Sequence, residues 1–316
     1  MIAYGPVPSR RLGQSLGINN IPPKVCTYSC VYCQVGRTLK MQTERTTFYQ
    51  PDEVEAEVTD SVERALAAGE RIDYLTFVPD GEPTLDVHLG EEIERLRPLG
   101  RKIAVITNAS LISRPDVAEE LMGADWVSVK VDTVREETWR KHNRPHRSLD
   151  LDTILDGLLQ FADAFTGELA TETMLVADLN DSDSHAAEVA DFLRALSPAR
   201  AYLSIPTRPP AEEWVRLPDE HTINRYYQII AGAVPGAEYL IGYEGNAFAS
   251  TGNVAEDILS ITAVHPMRDE AVREVLDRAG ADWAAIDELL QQDQLTETGY
   301  EGHTYYMRRT PAQRVE

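Results

Sequence analysis

The chain has 316 residues, 43% apolar and 26% charged, the mixture of a globular protein with room for one large domain and a small appendage. With 52 Asp and Glu against 30 Lys and Arg, its formal charge of −22 counts against general affinity for DNA or an anionic membrane surface. No apolar run approaches the roughly 18 residues of a membrane span, and the opening MIAYGPVPSRRLG has no apolar leader core, so the expected compartment is the cytoplasm.

The charge is segregated. Residues 1–50 carry Arg10, Arg11, Lys24, Arg37, Lys40 and Arg45 against Glu44 alone, and the remainder carries the acid. A first strand near Ser15–Asn19 leads into CTYSCVYC, which holds all three cysteines: Cys26, Cys30 and Cys33. An odd, tightly spaced set is a poor disulfide framework and a good metal site. Three thiolates suit zinc or an iron–sulfur cluster. Structural zinc normally takes four protein ligands, and the nearest His, His88, is over fifty residues on. A cubane cluster with three protein thiolates keeps one iron open for an outside ligand.

Beyond the loop, apolar residues Val54, Val58, Val62 and Leu66 recur at helical spacing behind Pro51, predicting a helix. Strands follow over Tyr74–Val78, Ile103–Thr107, Trp126–Val131, Thr171–Val176 and Tyr202–Ile205. They are separated by helices near residues 88–97, 115–122, 151–165 and 184–196, and a last helix spans 219–233. Such alternation means parallel strands joined by crossover helices. Six βα units are too few to close an eight-stranded barrel, so the expected fold is an α/β partial (β/α)6 TIM-type barrel over residues 1–250, its site at the C-terminal strand ends. Over 251–316 two helices, Asp269–Ala279 and Asp282–Gln292, precede a hairpin ending at Arg309, the order of a winged-helix-like α+β module. From residue 255 onward this segment has 13 acids and 6 bases, and its candidate recognition helix has four acids and no base, which opposes binding to phosphate.

The C-x3-C-x2-C loop with Tyr32 before its last cysteine resembles the radical SAM superfamily, and GPVPSRRLGQSLGINN…KVCTYSCVYCQVGRT is similar to its wyosine-biosynthesis-related Fe–S oxidoreductase subgroup. The resemblance runs over roughly residues 4–245. It implies a [4Fe–4S] cluster on Cys26, Cys30 and Cys33 and S-adenosylmethionine (SAM) as cofactor. It further implies reductive cleavage of SAM to a 5′-deoxyadenosyl radical that abstracts hydrogen, and an electron donor of the flavodoxin or ferredoxin type. By the same resemblance Tyr32 lies beside the adenine. Gly81, Glu82 and Pro83 match three of four positions of a motif for the methionine amino group, with Asp80 in place of its first glycine. By the same resemblance Asn108, at the end of the third strand, lines the pocket near SAM and the substrate. Alternation places Ser128, Lys130 and Asp132 on one face of the next strand, all three expected to face the cofactor, and Lys130 matches a residue that meets the SAM carboxylate or, failing that, pairs with Asp132. Thr173 is placed for the ribose, Met174 and Ile205 for the adenine.

Two basic groups, Arg10–Arg11 and the acid-free run Arg140–Arg147, with Arg208, are expected to form an anion-binding mouth, with Lys130 and Arg144 as candidate catalytic residues. The substrate expected is anionic, with RNA-base and small-metabolite modification both open. A glycyl-radical-type activating enzyme and a non-catalytic metal-binding adaptor are the alternatives.

Overall fold

The computed structural model describes residues 2–241, 253–263 and 266–309. Strand β1 (Ala3–Ser9) folds back on β2 (Gly13–Ile18) as an antiparallel pair. The cysteine loop follows, crossed by a two-residue parallel pairing of β3 (Val25–Cys26) with β4 (Lys40–Met41). Helix α1 (Pro51–Ala67) starts with Pro51 in its first turn and a reciprocal cap between Gln50 and Glu53. Then come β5 (Tyr74–Phe77), α2 (Leu89–Leu96), β6 (Lys102–Thr107), α3 (Pro115–Leu121), β7 (Trp126–Lys130), α4 (Glu136–His142), α5 (Leu151–Ala164) and β8 (Glu168–Met174). After these follow α6 (Asp183–Leu196), β9 (Arg200–Ser204), α7 (Glu220–Ala231) and β10 (Ala237–Tyr239).

The sheet order is β1-β2-β5-β6-β7-β8-β9-β10, parallel from β2 onward, so the barrel is partial and its two edges stay apart. All six expected βα strands are present. The sheet is wider than expected by β1, whose Pro6 and Pro8 disguise a strand that tolerates them at an edge, and by the three-residue β10. Helix α4 is also an addition, hidden in the basic run.

Alternation divides every strand between two environments. The outward residues, such as Leu75, Phe77, Ile103, Val105, Val127 and Val129, pack beneath the helices in one large core. Facing inward at the N-terminal ends, Ala104, Trp126, Ala170 and Tyr202 join Leu12 and Leu240 in a separate apolar plug. Higher up the same inner face, Ser15, Thr76, Lys130, Glu172 and Ser204 take over, and there a cavity opens. An inward gradient from apolar to polar thus fixes where the site lies.

Behind it, α8 (Val254–Thr262), β11 (Met267–Arg268), α9 (Asp269–Ala279), α10 (Ala284–Gln291), β12 (Leu295–Tyr300) and β13 (His303–Arg308) form a helical unit with a three-stranded antiparallel sheet ordered β11-β13-β12. The two helices and the hairpin match the sequence pattern, and α8 is new. The boundary expected between residues 250 and 251 falls outside the described residues. The core of this unit takes in Tyr4 and Val7 of β1. The Tyr4 ring lies where a Cβ on Gly17 would come within 2.0 Å of it, so the glycine is what admits the tyrosine. No helix among the described residues is long and apolar enough to cross a membrane.

Helix α2 buries Leu89, Ile93 and Leu96, and with them Glu92, whose carboxylate oxygens have no hydrogen-bond partner. Burial, reinforced by the charge of Asp86, pushes this carboxyl up to about 9. The folded chain therefore holds a proton that the unfolded chain releases near 4.5. Stability is expected to fall as pH rises from about 5 towards 9, by at most about 1.4 kcal/mol per pH unit. Urea unfolding over a pH series checks this: E92Q should flatten that slope, and an unchanged slope would assign it to other groups.

Candidate active site

The cavity, about 330 Å³, is lined by all three cysteines together with side chains from the inner faces of β2, β5, β6, β7, β8 and β9. The cysteine loop is held by backbone hydrogen bonds to the end of α4 and to the turn after β5: Ser29 N donates to Asn143 O, Val31 N to His142 O, and Glu82 N to Val25 O. Gly81 is needed beside it, because a Cβ there would come within 2.0 Å of the Val25 carbonyl oxygen.

Each sulfur is reached by a donor or a charge. The Asn108 side-chain amide and the Tyr28 N–H each lie 3.5 Å from Cys26 Sγ, and the Asn143 amide lies 3.6 Å from Cys30 Sγ. Burial pushes the Cys26 thiol well up and the Cys30 thiol up to about 12. Burial also raises Cys33, with the Lys24 ammonium pulling the other way. Among the described residues no three Cys, His, Asp or Glu side chains already stand at coordinating separation. The donor set nevertheless fits an iron–sulfur group: three soft sulfurs open on one cavity, and as thiolates they need a cationic centre to be stable there.

Across from the thiols stands a charge cluster. Glu172 accepts from Lys130 Nζ at 2.6 Å and from the Ser204 hydroxyl at 3.1 Å, and it also pairs with Arg11. Burial pushes this carboxyl up, but the two cations outweigh it and hold Glu172 well below the usual carboxylate range. Lys130 in turn lies 5.4 Å from the centre of the Tyr32 ring. Buried Lys24 and Asp80 face each other at 3.4 Å on the cavity wall, and neither Lys24 Nζ nor Asp80 Oδ1 has a hydrogen-bond partner. Burial pushes Asp80 up to about 6, against the pull of Lys24.

A family model for the radical SAM superfamily matches residues 20–193. The chain is 45% identical to a UPF0026 protein of Methanocaldococcus jannaschii over 309 residues, which is 97% of this chain and 96% of that one. The chain belongs to the radical SAM superfamily. Among solved structures, it is similar to a radical SAM methyltransferase from Sphaerobacter thermophilus, with TM-score 0.56 and 20% identity over 72% of this chain and 66% of that one. It is also similar to TYW1 with a lysine–pyruvate adduct bound, with TM-score 0.52 and 14% identity over 71% and 76%. These two likenesses are likenesses of fold.

Within this radical SAM fold, Tyr32, Gly81, Lys130 and Ile205 line the cavity with the cysteines, as do Met174, Arg10, Arg11 and Arg208. Several other expected ligand contacts are not on its wall. The Glu82 carboxylate accepts from the Thr84 N–H and hydroxyl, the Thr107 hydroxyl and the Asn108 N–H, so it braces β5 against β6. Pro83 is buried in the short turn that follows, its carbonyl accepting from Asn20. Asn108 is engaged with Glu82, Thr27 and the Cys26 sulfur. Ser128 is buried and does not line the cavity.

Asp132 is consumed by a buried network: it accepts from the Tyr32 hydroxyl at 2.6 Å, the Asn143 amide at 2.7 Å and Met174 N at 2.8 Å. Lys130 pairs with Glu172, which is opposite it in the β7–β8 register, instead of Asp132. Thr173 donates to Val131 O on the far side of β8; alternation gives the cavity Glu172 and Met174 instead. The anion mouth also divides. Arg144 pairs with Glu212 and, like Arg147, is not on the cavity wall. Arg140 and Lys141 pair with Glu136 and Glu137 one turn back on α4. Lys24 and Asp80 were named in the sequence without a role in the cavity, and Glu172 was not named at all. Glu172 nevertheless had a legible signal, an acid at an alternate position of a strand neighbouring a lysine-bearing strand.

The C-terminal unit reaches this site through β12 and β13. The Tyr300 hydroxyl donates to Pro206 O and the Tyr305 hydroxyl to Thr207 O, both at 2.9 Å, and Arg268 Nε donates to Tyr305 Oη at 3.0 Å. Residues 205–208 form the cavity wall after β9. Each such bond is worth about 1 kcal/mol net. The Y300F/Y305F double variant, which loses both, is therefore expected to exchange the amide hydrogens of Ile205, Thr207 and Arg208 about thirtyfold faster, with the β5–β8 amides unchanged. Equal protection in variant and wild type would show that the tyrosines do not hold the loop.

Proposed function

We propose that this chain is a radical SAM enzyme that holds a [4Fe–4S] cluster on Cys26, Cys30 and Cys33 and binds SAM in the cavity the cysteines share, acting on an anionic substrate. The observation that carries this reading is that the three thiols, Tyr32 and the Lys130–Glu172–Arg11 cluster all open on one cavity at the C-terminal ends of the strands. The cluster and SAM, when bound, supply reductive cleavage of the sulfonium and hydrogen abstraction from the substrate.

The chain's own residues bind, orient and exclude water. Asn108, Asn143 and the Tyr28 N–H direct donors at the sulfurs, which favours thiolate. Tyr32, fixed by Asp132, presents its ring beside Lys130, a flat apolar surface for a purine. The cavity wall carries Arg10, Arg11, Lys24, Lys130 and Arg208 against Asp80 and Glu172, an excess of cations inside a chain of formal charge −22. Guanidinium and ammonium groups gathered on one cavity wall suit a carboxylate or phosphate. The acidic C-terminal unit, which we read as a winged-helix-like module, braces the wall at 205–208 instead of reading DNA. The reaction draws its electron from a flavodoxin- or ferredoxin-type donor, with no membrane partner.

Anaerobic reconstitution with iron and sulfide, then dithionite and SAM, tests the reading. Wild type is expected to hold about four iron atoms per chain and to release 5′-deoxyadenosine, and C30A to release it only at the no-enzyme background. A colourless zinc protein, or a full iron complement with no 5′-deoxyadenosine, would favour a metal-binding adaptor.

A further inference from the structure

The turn after β6 is built around one side chain. Ala109 takes a φ of 60°, a left-handed conformation that costs a non-glycine residue energy and persists only where its surroundings impose it. Here they do. Ala109 N donates to Thr107 Oγ1 at 2.9 Å, and Ser110 N donates to Asn108 Oδ1 at 2.9 Å. Asn108 N donates to the Glu82 carboxylate at 2.8 Å. The Asn108 side-chain nitrogen, which carries two hydrogens, donates one to Thr27 Oγ1 at 2.8 Å, and the Ser110 hydroxyl reaches the same Thr27 oxygen at 2.7 Å. With its oxygen and its first hydrogen fixed, the planar amide has one hydrogen left, and the atom before it is Cys26 Sγ at 3.5 Å.

A neutral thiol is a weak acceptor, whereas a thiolate that ligates a metal is a strong one. Such a built turn gains most from its last hydrogen when the sulfur is charged. We infer that Asn108 sets the reduction potential of the cluster through this contact, with Glu82 as the residue that positions it. This rests on the radical SAM reading. A cluster that takes up one electron becomes more negative, so a donor at its sulfur stabilises the reduced state and raises the potential. The same arrangement accounts for Glu82: its carboxylate is absent from the cavity wall because it braces the turn that carries Asn108.

The test is a redox titration of the anaerobically reconstituted full chain, without SAM, with dithionite as the electron source. At a given potential, N108A should hold about tenfold less reduced cluster relative to oxidised than wild type, a midpoint lower by about 59 mV for one electron. N108D, which keeps the acceptor for Ser110 N and puts a carboxylate oxygen towards the sulfur, should lie lower still. Iron content and melting temperature should match wild type in both. Equal midpoints in the three proteins would overturn the inference, as would loss of stability without a shift in potential. Wild type labelled with 15N-asparagine needs no variant: its reduced cluster should show two 15N hyperfine couplings, from Asn108 and from Asn143 at Cys30, and fewer than two would overturn the inference. A wild type that takes up no iron would count against the radical SAM reading itself, whereas a full cluster whose potential ignores Asn108 would overturn this inference alone.

Discussion

The carboxylate of Asp132 accepts hydrogen bonds from three segments that are distant in sequence: Tyr32 of the cysteine loop, Asn143 after α4, and Met174 at the end of β8. A buried carboxylate is costly unless such donors surround it. Burial pushes this one up, yet the His142 ring and the Lys130 ammonium outweigh burial and hold it at about 2, so it is charged at neutral pH. The same residue receives Asn180 through its backbone carbonyl. The cysteine loop is thereby pinned to the sheet at the one level where the inward residues turn polar, and the positions of Tyr32 and of Cys30 follow from it.

The second organising feature is the placement of charge. Acid covers the helices and the C-terminal unit, whereas the first fifty residues carry base. The fold divides that base between two faces of the cysteine loop. Arg10, Arg11 and Lys24 turn to the cavity, where Arg11 meets Glu172 and Lys24 meets Asp80. Arg37 and Lys40 turn outward with Arg147. On the reading we propose, the inner face meets an anionic substrate. The C-terminal unit contributes to the inner face alone, through two tyrosine hydroxyls on the β9 loop.

Much of this was legible in the sequence. Apolar periodicity located all six expected βα strands, because a sheet covered by helices writes its burial into every second residue. The cysteine spacing announced the loop, and the composition change announced the C-terminal unit. What stayed hidden depended on non-local partners. Glu82, Asp132 and Thr173 have the residue types of a ligand site, and the internal hydrogen bonds that engage them are ones only the assembled sheet supplies. The run Arg140–Arg147 looked uncompensated because its acids are one helical turn back, at Glu136 and Glu137, or 68 residues ahead, at Glu212. Lys24 and Asp80 are separated by 56 positions and meet because β2 and β5 pair side by side.

The central claim is that the three cysteines bind a cluster whose open iron faces the SAM cavity. Electron paramagnetic resonance of the anaerobically reconstituted, reduced protein, recorded with and without SAM, tests it most directly. The account predicts a cluster signal whose g values move when SAM is added. A cluster signal indifferent to saturating SAM would contradict it.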